Sequence, residues 1–97
     1  MKSTDKLSDR QKRATVTITP KARKQLSRLP KDKQFQIDRK IPFLRDNPLL
    51  GKMLEGELAG YRSVRVWPYR IIYRFYPKQQ VVEILHIEHR QGVYKGR

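Results

Sequence analysis

Apolar and polar positions first alternate at Ala14-Thr15-Val16-Thr17-Ile18-Thr19, where five of six residues are β-branched. A period of two with stiff side chains predicts a strand. The period then lengthens. Thr19-Pro20 pairs an N-cap hydroxyl with a proline at the first helical position. Ala22, Leu26 and Leu29 follow at i, i+4 and i+7, with Lys21, Arg23, Lys24 and Arg28 on the other side. This spacing predicts a helix over 20–29, stopped by Pro30. A second helix opens near Lys31 or Asp32 and carries Ile37, Ile41 and Leu44 on one face, with Phe35 nearby. Asn47-Pro48 ends it. Pro42 lies inside the pattern and lacks the N–H that a helix needs, so a kink or split is expected around Ile41-Pro42. Residues 49–60 lose periodicity and read as a loop closing with Gly56 and Gly60.

From Tyr61 the period returns to two. Tyr61–Val66, Tyr69–Tyr76 and Val81–His89 read as three strands. The connections, Trp67-Pro68 and Pro77-Lys78-Gln79-Gln80, are too short for anything but antiparallel neighbours. Neither turn carries Gly or Asn, which leaves the turn type open. The fold class expected is α+β. A small antiparallel sheet, made of the N-terminal strand and the C-terminal meander, is covered on one face by two helices. A chain of 97 residues supports one domain. Residues 1–13 hold Leu7 alone as an apolar side chain after the first Met, so they read as a flexible basic arm ahead of a domain over 14–97.

Composition narrows the function. There is no cysteine, which excludes a disulfide scaffold, a thiol nucleophile and a Cys-based zinc site, and fits a reducing compartment. No run approaches the ~18 apolar residues of a membrane span, and the first residues have no apolar signal core, so a cytoplasmic location is expected. Lys plus Arg number 23 against 9 Asp plus Glu, for a net charge of +14. Such a surface attracts polyanions, nucleic acid first and an acidic protein second. A membrane surface ranks third, because no basic helix carries Trp or Phe anchors.

The charge becomes specific in the meander. No acidic residue occurs between Leu58 and Val82, and Arg62, Arg65, Arg70 and Arg74 are interleaved with Tyr61, Trp67, Tyr69, Tyr73, Phe75 and Tyr76. Strand alternation places Arg70 and Arg74 with Ile72 on one face and Ile71, Tyr73 and Phe75 on the other. A face of guanidinium groups grips phosphate in a planar, bidentate way. A solvated basic edge is the plainer alternative. His86, His89 and Arg90 close the last strand, with Tyr94 beyond. His89 with Arg90 suits acid–base work on a phosphodiester, the histidine moving a proton and the arginine stabilising phosphoryl charge. An ordinary polar strand end is the alternative. His86, between Leu85 and Ile87, reads as structural. Histidines three apart without a carboxylate pair make a weak metal signal, and no metal or other cofactor is expected. No phosphate-binding glycine loop, nucleophile elbow or zinc-finger spacing occurs.

These residues carry a resemblance. The stretch L-E-G-E-L-A-G-Y-R-S-V-R-V-x-x-Y-R-I-I-Y-R, then V-V-E-I-L-H-I-E-H-R-x-x-V-Y, resembles the RelE/ParE superfamily of bacterial and archaeal toxin–antitoxin toxins. The match is strongest from Leu54 to Tyr94, and T-P-K-A-R-K-Q-L-x-x-L-P from Thr19 also fits. The combination of R-V-x-x-Y-R-x-x-Y with H-R-x-x-V-Y points to the RelE-like branch. The resemblance implies a metal-independent endoribonuclease that enters the ribosomal A site and cuts messenger RNA. In that chemistry the 2′-hydroxyl attacks the adjacent phosphate and the 5′-oxygen leaves. It implies catalytic roles for Arg65, Arg70, His89, Arg90 and Tyr94, and RNA contacts from Arg62, Ser63, Arg74 and Lys95. Ser63, with Arg62 beside it, stands where some members have a second lysine, which leaves the general base unassigned. Trp67-Pro68 replaces the family's usual turn glycine. The implied partners are the ribosome, messenger RNA and a cognate acidic antitoxin, with DNA reached only through the antitoxin and no membrane. A ParE-like gyrase inhibitor, or a degenerate RNA-binding relative without activity, keeps the fold and changes the function.

Overall fold

Thr19 begins the helical layer as the sequence implies. In the computed structural model, which describes residues 13–89, its extended backbone is followed by Pro20, and its Oγ1 accepts the Ala22 N–H at 3.1 Å. Helix α1 runs Pro20–Ser27. Helix α2 runs Lys31–Asp46 without the break expected at Pro42. Pro42 is exposed, and so is Asp38, whose carbonyl loses its helical donor. Water can take that carbonyl, so the proline is accommodated near the helix end. Of the arm expected over 1–13, all but Arg13 lies outside the described residues, as do Arg90, Tyr94 and Lys95.

The sheet has five strands in the order β1-β5-β4-β3-β2. They are β1 (Thr15–Ile18), β2 (Lys52–Met53), β3 (Arg62–Val66), β4 (Tyr69–Tyr76) and β5 (Val81–His89). The meander has the boundaries its alternation implied, to within a residue. Two features differ from expectation. The first is that β1 pairs with β5 in parallel, Thr15 opposite Val81 and Ile18 opposite Ile84, which makes the sheet mixed. Two helices intervene after β1, so no short connection constrains its direction. The second is β2, two exposed residues antiparallel to β3 in a segment that read as loop. A strand this short has no periodicity to detect.

The helices cover one face. Ala22 of α1 and Ile37 and Leu44 of α2 are buried with Val64, Ile71, Tyr73, Val82, Ile84 and Ile87 of the sheet. Each such aliphatic side chain contributes about 1.5–3 kcal/mol. The core positions of β5 are Val82, Ile84 and Ile87, which breaks strict alternation. A bulge is the reason. Ile72 lies opposite His86 but Tyr73 lies opposite Ile84, so Leu85 is the extra residue on β5. Beyond it the faces of β5 exchange, and this decides where both histidines stand.

Candidate active site

The face of the sheet away from the helices is built by register. On β4 it carries Arg70, Ile72 and Arg74, the alternation read from the sequence. Across β3, Arg65 lies directly opposite Arg70 and Ser63 opposite Ile72. Across β5, Glu88 lies opposite Arg70 and His86 opposite Ile72. Lys52 of β2 lies opposite Ser63. Two rows result. One is Lys52, Ser63, Ile72 and His86, and the next is Arg65, Arg70 and Glu88. Ile72 is 1% exposed, so it forms a closed floor beneath the charged side chains.

Like charges directly across a strand pair oppose folding. Arg65 and Arg70 form such a pair at the centre of this face, with a single carboxylate, Glu88, flanking it in the row. Arg70 Nε is buried without a hydrogen-bond partner among the described residues. His86 Nδ1 is in the same condition and is 3.9 Å from Glu88 Oε2, in ion-pair range but too long for a hydrogen bond. Orphaned buried donors are uncommon in folded proteins and call for a reason. Both atoms belong to residues of the face that carries Arg65 and Arg70.

Arg74 stands further along the same face. Its guanidinium lies 5.7 Å from the Tyr61 ring centre and 5.3 Å from that of Tyr76. The Tyr76 hydroxyl donates to Glu83 Oε1 at 2.9 Å, and this carboxylate pushes the phenol ionisation above its usual range. Both rings lie within cation–π range of Arg74, four residues along β4 from Arg70.

Arg62 takes the opposite face, in register with Tyr73. Its Nη1 donates to the Gly51 carbonyl at 2.8 Å and to that of Leu49 at 3.4 Å, which ties down the loop before β2. His89 also stands on the helix side. It is paired with Tyr69, and the two rings meet edge to face at 5.3 Å. The structure therefore brings Arg65, Arg70, Ser63 and Arg74 together and leaves Arg62 and His89 off their face. The sequence reading took His86 as structural from its place between Leu85 and Ile87; the bulge at Leu85 puts His86 and Glu88 on the face of Arg70 and turns His89 to the other. Lys52 was missed with β2 itself. Among the described residues, no three His, Asp or Glu side chains converge as a metal would need. A shallow hollow lined by Gln36, Arg39, Lys40 and Phe43 lies on α2, apart from this face.

The family model described as the ParE toxin of the type II toxin–antitoxin system, parDE, matches residues 16–94. The toxin RelG of Mycobacterium tuberculosis is 36% identical over 83 residues, 84% of this chain and 95% of that protein. The toxin RelE of the same organism is 34% identical over 82 residues, 82% of this chain and 84% of that protein. Among solved structures, the toxin–antitoxin complex RelBE2 from M. tuberculosis superposes with a TM-score of 0.75 at 36% identity, covering 80% of this chain and 99% of that one.

Proposed function

This chain belongs to the ParE toxin family of type II toxin–antitoxin systems, with relatives of the RelBE kind, and from that premise we propose that it is a ribosome-dependent endoribonuclease cutting messenger RNA in the A site. The observation that carries the reading is the Arg65–Arg70 pair, two arginines in direct register on one face, with Tyr61 and Tyr76 around Arg74 farther along it. A phosphodiester between Arg65 and Arg70 relieves their repulsion and is gripped by planar donors.

The mechanism uses the chain's own groups. The RNA 2′-hydroxyl attacks the adjacent phosphorus, negative charge grows on the phosphoryl oxygens, and Arg65 and Arg70 stabilise it where it develops. The P–O5′ bond breaks, leaving a 2′,3′-cyclic phosphate and a 5′-hydroxyl. No step is routed through a metal, because the guanidiniums carry the charge. Arg90 and Tyr94 complete the set as a third phosphate ligand and a base-stacking ring. Ser63 and Lys95 contact the RNA backbone. The ribosome supplies what this site lacks, alignment of the attacking oxygen with the leaving one.

Such a toxin is held in check by a cognate antitoxin. The solved relative is a toxin–antitoxin complex, and a net charge of +14 favours a partner with an acidic binding segment. Operator DNA is reached through that antitoxin. Action on the ribosome places the protein in the cytoplasm.

Induction of the chain followed by primer extension tests the reading. Cleavage is expected within translated messages and is expected to vanish from the same message when its start codon is removed. Growth arrest with intact messages and inhibited DNA supercoiling would instead identify a gyrase poison.

A further inference from the structure

We infer that His86, steadied by Glu88, is the general base of this site and takes the proton from the attacking 2′-hydroxyl. The inference rests on the nuclease reading and names a group within it. Its first support is position. The bulge at Leu85 turns His86 and Glu88 onto the face of Arg65 and Arg70, while His89 packs against Tyr69 on the other side. His86 lies opposite Ile72, one row from the Arg70–Glu88 pair, which makes it a diagonal neighbour of the phosphate-gripping arginine.

The second support is the condition of the ring. Its side chain is 26% exposed, so substrate can reach it, while Nδ1 is buried toward Glu88 Oε2 at 3.9 Å. A neutral imidazole with its N–H on the Glu88 side presents Nε2 as an acceptor. When Nε2 takes a proton, the nearby carboxylate stabilises the imidazolium, and the 3.9 Å contact can shorten. The third support is pairing by elimination. The two buried side-chain atoms without a hydrogen-bond partner among the described residues are Arg70 Nε and His86 Nδ1, and they are neighbours on one face.

The step balances. The 2′-hydroxyl proton moves to Nε2, the O2′–P bond forms and the P–O5′ bond breaks. The 5′-oxygen takes a proton from water, and the imidazolium returns its own to the hydroxide. The charged groups facing His86 are Glu88 and Glu83 on β5 and Arg70 and Arg74 on β4. Arg65 and Lys52 lie farther out in the adjoining strands. β1 brings Thr15 and Thr17 to this face, and the hydrogen bonds from α1 and its cap to this end of β5 are uncharged: Gln25 accepts the Ile87 N–H at 2.8 Å and the Thr19 hydroxyl donates to the Leu85 carbonyl at 3.3 Å.

The test is single-turnover cleavage on programmed ribosomes from pH 5.5 to 8.5, using the full chain. The parent is expected to slow as pH falls and the imidazole is protonated. His86→Gln is expected to cleave about a hundredfold slower or worse, with that acid limb gone. His89→Gln keeps the limb. Glu88→Gln is expected to slow cleavage, because it removes the carboxylate 3.9 Å from Nδ1 that steadies the ring. Binding to ribosomes programmed with message carrying a 2′-deoxy nucleotide at the attack position shows that His86→Gln is folded. If that variant does not bind, Glu88→Gln decides: slower cleavage with ribosome binding kept supports the assignment, and an unchanged rate overturns it. Cleavage by His86→Gln at the parent rate with its limb intact, or a limb lost in His89→Gln instead, overturns the assignment and leaves the nuclease reading standing. A parent that cuts no programmed message overturns both.

Discussion

Arg65 and Arg70 lie directly opposite each other across β3 and β4, with Glu88 as the one carboxylate of their row among the described residues. The cost of directly opposed like charges is about 0.2–1 kcal/mol. Arg65→Ala is therefore expected to leave the folded state as stable as the parent, or more stable by a few tenths of a kcal/mol, while RNA cleavage falls. Urea unfolding beside a cleavage assay checks both halves. An arginine kept for folding would give the opposite pattern. Tyr73 is the contrasting residue. Its ring is fully buried, its hydroxyl donates to the Pro48 carbonyl at 2.7 Å and accepts the Gly51 N–H at 2.8 Å. Gly51 has to be glycine, since a Cβ there would lie 2.7 Å from the Tyr73 ring and 2.9 Å from the Ser63 carbonyl. Tyr73→Phe leaves both backbone groups unmet and should cost about 1–3 kcal/mol. Burial raises the Tyr73 ionisation above the usual 10.0, offset in part by the Gly51 hydrogen bond and the charge of Arg62. Below the unfolded value the phenol is neutral in both states and its contribution is complete. As pH rises past about 10 the unfolded chain ionises first, and that contribution is lost through the folded value. Urea midpoints from pH 9 to 11 should fall more steeply for the parent than for Tyr73→Phe.

At the scale of elements, α2 holds a test of its own irregularity. Pro42 lies within Lys31–Asp46, is exposed, and gives up one helical hydrogen bond. Pro42→Ala restores the N–H without opening a cavity. It should raise stability by about 1–3 kcal/mol, read as a higher thermal midpoint. A lower midpoint would mean that the proline fixes a bend needed for packing. The helices and the meander were legible because their periods are unambiguous: Ala22 and Leu26 at helical spacing, and Ile71, Tyr73 and Phe75 at strand spacing. The parallel pairing of β1 was not legible, since direction across an edge leaves no mark in local sequence. Neither was the bulge. One extra residue at Leu85 carries no signature in V-V-E-I-L-H-I-E-H, yet it exchanges the faces of both histidines. The arginine half of the candidate site was therefore readable from alternation on β4. The histidine half was not, because it depends on register.

For the whole molecule the governing quantity is the net charge of +14. Binding driven by phosphate contacts weakens with salt, because each contact releases condensed counterions. Affinity for ribosome-free RNA should fall steeply between low and physiological ionic strength. Removing Arg74 should reduce the slope of log affinity against log salt by about one. A slope unchanged in Arg74→Ala would remove that arginine from the RNA-binding face. The central claim is that Arg65 and Arg70 hold the scissile phosphate of a ribosome-bound message, and one measurement tests it most directly: the single-turnover rate of message cleavage on programmed ribosomes for the parent and for Arg70→Ala, with ribosome binding measured separately. Loss of one positioned donor to a developing anion costs about 3 kcal/mol, so cleavage should slow about a hundredfold while binding is largely kept. Arg70→Ala cleaving at the parent rate would contradict the account.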